Sequence, residues 1–352
     1  MEIISSFKAL ADDKRFIQDV REIILNERLQ EKTEDFFQLV PGIKGGKQVA
    51  AMRGLEYITT KSKGCGGKGI SPDFPAFSQL WNPQLQEVKI NYCYADFENS
   101  YLKWALNNGY DRKNLTGTEL GLFIEDLVAE AMSLDMLRIV LMADKDIETQ
   151  DILTNEAEKA QFYNTIDKGL IPTLQYLKTL PEFQDNFIQL SKNTGTTIEQ
   201  QELEKDYSVN IYEDVTDTLD FDGDYVLSSN SLAKNYSKWL KRGNGYSIES
   251  NKNDTVKGIQ NLEVDGYGIK AVKNYDRWRK TDFQTGEPLT THLPHFALFT
   301  KKEFLQVGID DAASLQDITL EYIGGEDETF WIKANYMLDF KLTNPYAIKA
   351  AI

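Results

Sequence analysis

Cysteine is nearly absent: Cys65 and Cys93 are the only two, so no disulfide framework can staple this chain, and both read as reduced thiols of a protein that folds in a cytoplasm. Histidine is as scarce, with His292 and His295 alone. General acid–base chemistry would have to rest on those two or on carboxylates, which disfavours an enzyme. No window approaches the roughly 18 uninterrupted apolar residues of a membrane span. Met1 is followed by Glu2 rather than by a basic, then apolar, leader, so neither insertion nor secretion is expected. Basic charge is in deficit, 39 Lys and Arg against 55 Asp and Glu for a net charge of −16. A protein that grips nucleic acid by releasing its counterions needs the opposite balance. What is present is length, 352 residues with 41% apolar, enough to bury about three quarters of the unfolded surface in about two structural units.

Along the chain the texture changes several times. From Ser5 to Val40, apolar residues recur at roughly helical spacing among many charges and then give way to a tail, a stretch with little to fold upon by itself. Pro41 to Gly46 breaks any helix, Lys47 to Thr60 can be extended, and Lys61 to Pro75 holds too much glycine and proline for a regular element. After Trp81-Asn82-Pro83, Val88, Ile90, Tyr92 and Tyr94 alternate as in a half-buried strand. The expectation is an extended hairpin arm whose returning strand is Gln84 to Phe97. Thr116 to Ala143 predicts a long helix, opened by a capping box at Thr116 and Glu119 and carrying Leu120, Phe123, Leu127, Ala131, Leu134 and Leu141 on one face. Next comes a helical stretch interrupted at Pro172 and Pro181. Tyr225-Val226-Leu227 reads as a strand, and Ser228 or Ser229 caps a helix through Leu240 that Gly243 and Gly245 end. Near the C-terminus, Ile318, Leu320 and Tyr322 alternate with polar residues, a GGEDET turn follows, and Phe330 through Leu342 places apolar side chains at seven consecutive even positions. This predicts an antiparallel hairpin with an even-numbered face buried under the long helix and an odd-numbered face looking elsewhere, so that a charge at Phe340 or Ile332 prevents folding while reversal of Lys341 is tolerated.

The constellations that could carry chemistry are incomplete. The Gly42 to Gln48 stretch lacks both the first glycine and the Ser or Thr of a phosphate loop. Asp220, Asp222 and Asp224 are spaced like the first ligands of a calcium loop, but Tyr225 stands where the sharp turn needs glycine and Ser231 where a bidentate glutamate belongs. His292 and His295 could approach one metal, yet no third ligand is supplied nearby. Two loop histidines leading into a strand from Phe296 to Thr300 is the plainer reading. No metal, cofactor or catalytic residue is therefore assigned.

The order of parts, with the stretches LWNPQLQEVKINYCYADFENSYLKW, PHFALFTKKEFLQVGI and ETFWIKANYMLDFKL, resembles the major capsid proteins of tailed bacteriophages, of the type found in phages and prophages of Bacteroidetes-like hosts. The resemblance implies an α+β fold with an N-terminal arm (1–45), an extended hairpin loop (46–98), a spine helix and peripheral domain (99–159), an inserted axial domain (160–294) and a return to the peripheral-domain sheet (295–352). It implies a structural subunit that assembles as hexamers and pentamers into an icosahedral shell in the host cytoplasm. Portal and scaffolding proteins are then candidate partners, packaged DNA is a neighbour without sequence-specific binding, and no membrane is involved. Candidate subunit-interface residues are Lys63, Cys65 and Lys68 in the glycine-rich tip and Trp331, a large aromatic on the polar face of the hairpin. The alternatives are an encapsulin-like compartment shell and, from another class, a metal-assisted carboxylate enzyme using His292, His295 and an aspartate from the 220–224 cluster.

Overall fold

The computed structural model describes residues 33, 35–52, 59, 76–93, 131–132, 134–218, 221–242, 262–309, 319–323 and 329–352, with the side chains of 92, 93, 319–323, 329, 330 and 332 left aside. In chain order the strands are β1 (Gln38–Val40), β2 (Gln48–Met52), β3 (Ala76–Leu80), β4 (Gln84–Cys93), β5 (Phe187–Ile188), β6 (Tyr225–Ser229), β7 (Leu262–Val264), β8 (Tyr267–Val272), β9 (Gln284–Thr285), β10 (Thr290–Thr291), β11 (Ala297–Thr300), β12 (Leu305–Ile309), β13 (Thr319–Ile323), β14 (Thr329–Leu342) and β15 (Ile348–Ala351). The longer helices are α1 over residues 134–142, α2 (Leu170–Thr179), α3 (Tyr207–Thr216), α4 (Asn230–Arg242) and α5 (Lys273–Thr281). The architecture is α+β, as expected.

One five-stranded sheet is organised by β14, which pairs along its length with β4, at one end with β13 and at the other with β12, while β1 adds in parallel to β12. The C-terminal hairpin is thus present as β13–β14. On the even face Ala334, Tyr336, Leu338, Phe340 and Leu342 are all buried, in one core with Met136, Val140 and Leu141 of α1. The odd face departs from expectation. Asp339 and Lys341 are buried as well, because the chain at Ile43 and Trp81 lies across this end of the sheet. Gly308, the cross-strand partner of Asp339, permits the approach: a Cβ there would stand 2.4 Å from Ile43 and 2.6 Å from the Trp81 ring.

Two other expectations are corrected by the topology. The returning strand of the hairpin arm is β3, paired antiparallel with β2, whereas Gln84–Cys93 belongs to the five-stranded sheet, where ten residues of β14 supply a longer ladder than β2 could. Near the end of the N-terminal stretch, Phe37 is fully buried against Phe340 of β14, ring centroids 5.9 Å apart, and so finds its packing in a distant part of the chain. The division at 294/295 is crossed by the second sheet, ordered β5-β15-β11-β6-β8-β7. Its β11 and β15 come from the segment assigned by sequence to the peripheral sheet.

That second sheet is covered on both faces. Tyr225, Leu227, Leu298 and Ala350 face the core shared with α1, α2 and α5, and Val226, Ala297, Phe299 and Ala351 face a second core with α3 and α4. Burial on both sides explains why β6 and β11 are short apolar runs without polar alternation. The α4 helix starts directly after β6, buries Leu232, Ala233 and Tyr236 on one side and ends on Lys241 and Arg242, which suit the negative end of a helix dipole. Pro172 does not interrupt α2; it sits in the first turn, where its missing N–H costs no hydrogen bond. In α1 and just before it the predicted stripe is only partly right: Leu141 is buried, Leu134 half-buried and Ala131, ahead of α1, exposed, while Met136, Leu137, Ile139 and Val140 are buried too. The helix end is enclosed nearly all round, so its burial exceeds an amphipathic stripe. The rest of the stretch predicted as a long helix, residues 116–130 with its capping box, and Ser133 lie outside the described residues, as do Gly243 and Gly245.

Candidate functional site

The residues nearest to catalytic chemistry form a cluster around His295, which is 2% exposed. Its Nε2 faces the main-chain carbonyl of Gln201 at 2.9 Å, an acceptor only, so Nε2 carries the proton and Nδ1 accepts from the Ser231 hydroxyl at 2.8 Å. Asp276, from α5, takes the Ser231 main-chain N–H at 2.5 Å and lies 3.0 Å from the same hydroxyl. A histidine, a serine and an aspartate are therefore in contact, but in the wrong order for nucleophilic catalysis. An activating aspartate must hold the histidine nitrogen that faces away from the serine. Here both acid and imidazole converge on Ser231, and the far nitrogen is tied to backbone. Asp276 instead caps the N-terminal turn of α4. Arg279 completes the cluster, donating to the Leu293 carbonyl at 2.7 Å and to the Gln201 side chain. Burial, with Arg279 nearby, lowers the His295 pKa to about 3, so the imidazole is neutral and internal.

The metal-assisted alternative fares no better. His292 points its Nε2 at the Thr285 hydroxyl, 2.6 Å away, while both nitrogens of His295 are engaged elsewhere. Asp222 accepts from the Tyr267 hydroxyl at 2.7 Å and Asp224 from the Lys302 main-chain N–H at 2.9 Å; Asp220 lies outside the described residues. The two surviving aspartates are turn and strand-end acceptors. Among the described residues no group of three or more His, Cys, Asp or Glu could hold a metal ion, and no helix is long and apolar enough to cross a membrane.

The surface with the features of an interface is the odd-numbered face of β4 and β14. Trp331 is half-buried, with Lys89 Nζ 5.0 Å and Lys333 Nζ 5.7 Å from its ring. The two lysines are directly opposed across the ladder, as are Leu85 and Met337. The Trp331 Nε1 proton is buried without a hydrogen-bond partner among the described residues, an uncommon state for a donor of this kind. Leu85 is 66% exposed, and on the arm Met52 and Leu80 stand out at 69% and 58%. The sequence pointed to Trp331 by its break in alternation; Lys89 and Leu85 carried no such signal, because a lysine or leucine on a strand is unremarkable until its cross-strand partner is known. Lys63, Cys65 and Lys68 lie outside the described residues.

No family model matches the chain and no curated protein matches it. Among solved structures, the chain resembles one of a satellite phage P4 procapsid including the size-determination protein, at 14% identity over 92% of this chain and 95% of the other with a TM-score of 0.49. It also resembles a chain of Mycobacterium phage Ogopogo at 13% identity, covering 91% and 98%, with a TM-score of 0.46. A third is the holo-SrpI encapsulin complex from Synechococcus elongatus at 8% identity, covering 93% and 88%, with a TM-score of 0.42. All three TM-scores fall below 0.5.

Proposed function

We propose that this chain is the major capsid protein of a tailed bacteriophage: a structural subunit that assembles through hexamers and pentamers into an icosahedral shell within the host cytoplasm. It acts without a cofactor or catalytic centre. Portal and scaffolding proteins are its candidate partners, and packaged DNA is a neighbour held without sequence recognition. The observation that carries this reading is how the parts join. The two-stranded β2–β3 arm, which exposes Met52 and Leu80, runs on through β4 into a sheet closed by the C-terminal hairpin, and the α3–α4 module is inserted between. A two-stranded ribbon is marginal by itself in water, so an arm of this kind is best stabilised by a neighbouring copy. The same holds for the half-buried Trp331 face, since tryptophan anchors are enriched at interfaces. A net charge of −16 suits a shell lining that must not trap DNA as it enters.

The test is direct. Purified protein, brought to increasing concentration over a range of salt, should form closed shells or five- and six-membered rings, seen by electron microscopy and light scattering. A chain that stays monomeric under every condition, with its phage partners added, would overturn the reading.

A further inference from the structure

The root of the arm is fastened more elaborately than a turn requires. Gly46 donates its N–H to the Trp81 carbonyl at 2.8 Å and Trp81 donates to the Lys47 carbonyl at 2.9 Å, closing the base of the ribbon. Trp81 is itself buried on Gly308 of the five-stranded sheet. The next residue, Asn82, is exposed yet uses both its main-chain and its side-chain donor on carboxylates from different elements. Its main-chain N–H goes to Asp339 Oδ2 in β14 at 2.7 Å, and its side-chain amide goes to Asp167 Oδ2, in the loop before α2, at 2.9 Å. Each carboxylate is held on its own side. Asp339 also takes the Phe340 N–H at 2.8 Å and lies 3.1 Å from Lys341 Nζ. Asp167 pairs with Lys145 at 3.8 Å, just past the end of α1. Four residues on from Asn82, the Gln86 amide donates to the Thr165 carbonyl at 2.9 Å, so the same loop buttresses both the arm's root and the start of β4.

We infer that Asn82 is a positioning residue that sets the direction of the β2–β3 arm by clamping its root between Asp339 in the sheet and Asp167 in the loop before α2. The residue type matters. Only a side chain that offers a donor can meet Asp167 while the main chain meets Asp339, and an aspartate of the same size would set two carboxylates face to face. Away from the root, the described arm is held to the body through Phe77, whose ring packs edge-on against Phe183 at 5.8 Å. One aromatic contact fixes separation better than angle, and the clamp supplies the angle. The device belongs to the single subunit and holds whether or not the chain builds a shell.

The test uses the full chain with Cys65 and Cys93 replaced and spin labels at Ser78 on the arm and Lys238 on α4. Pulsed electron resonance should give one narrow distance distribution in the parent. Asn82→Asp should broaden or shift it, and adding Asp167→Asn should restore it, because the swapped pair re-forms the bond with donor and acceptor exchanged. An unchanged distribution in Asn82→Asp, or a broadening that the swap leaves uncorrected, would overturn the assignment. Should Asn82→Asp fail to fold, Asn82→Ala is read by hydrogen exchange. The Gly46 and Trp81 amides should then exchange at least tenfold faster with β6 and β11 unchanged, and a uniform acceleration or none would count against the clamp.

Discussion

His295 shows at the scale of one residue how burial can convert a candidate catalytic group into a structural one. Its imidazole is neutral because desolvation and the Arg279 charge disfavour the proton, and it serves as a spacer between Ser231 and the Gln201 carbonyl. Linkage gives this a sign. The folded pKa of about 3 lies below the unfolded value near 6.5, so between these the unfolded chain binds the extra proton and stability falls as pH falls. From pH 7 to pH 4.5 the loss attributable to this residue is about 2 to 3 kcal/mol, since each tenfold difference in proton affinity between the folded and unfolded chain is worth about 1.4 kcal/mol. Urea unfolding of the wild type and of His295→Gln at the two pH values should therefore show losses that differ by about that amount, the variant losing less. Equal losses would mean that the imidazole is charged or exposed in the folded protein.

At the scale of the element, β14 carries two kinds of face along one strand. Its even side chains from Ala334 onward pack beneath α1, whereas its odd side chains are half-buried at Trp331 and Lys333 and buried at Asp339 and Lys341. Burial pushes the Asp339 carboxyl up from its ordinary value, opposed by the Lys341 charge and by the N–H groups of Asn82 and Phe340. The pair is thus a buried ion pair whose members depend on each other. Phe340→Asp should abolish folding, since a fully buried ring sits there and an unpaired charge in a core has no compensation. Lys341→Glu should also destabilise, by about 3 to 5 kcal/mol, because it strands the Asp339 charge beside a second one; Lys341→Met should cost less. Denaturant midpoints with an unchanged m-value would measure this, and a Lys341→Glu protein as stable as wild type would show that this end of the strand opens to water.

At the scale of the whole molecule, in the proposed shell a chain of net charge −16 would have to associate with its copies against mutual repulsion, so contacts that gather apolar surface and local positive charge would carry disproportionate weight. The Trp331 face, with Lys89 and Lys333 over the ring and Leu85 exposed on the same side of the ladder, has that composition and is the contact the proposed shell would use. Trp331→Ala is expected to leave a folded subunit, with unchanged circular dichroism, that requires a higher concentration or more salt to assemble. Shells at the wild-type threshold, or an unfolded variant, would remove Trp331 from the interface.

Periodicity alone determined the elements whose burial is one-sided. The even positions of β14 from Ala334 onward, the alternation in β4 and the apolar stripe of α4 read correctly, because a half-buried strand or an amphipathic helix writes its environment into every second or third residue. Composition determined the lack of a disulfide framework and the poverty of acid–base groups. Tertiary structure decided what local pattern cannot encode. Pairing partners are set by distant segments, so β11 and β15 joined the second sheet and β4 the first, against the order along the chain. Burial on the polar face of β14 depends on Gly308, Ile43 and Trp81, remote from it in sequence. Asn82 carries no periodic signal at all, and its role exists only because folding brings Asp339 and Asp167 to either side of it.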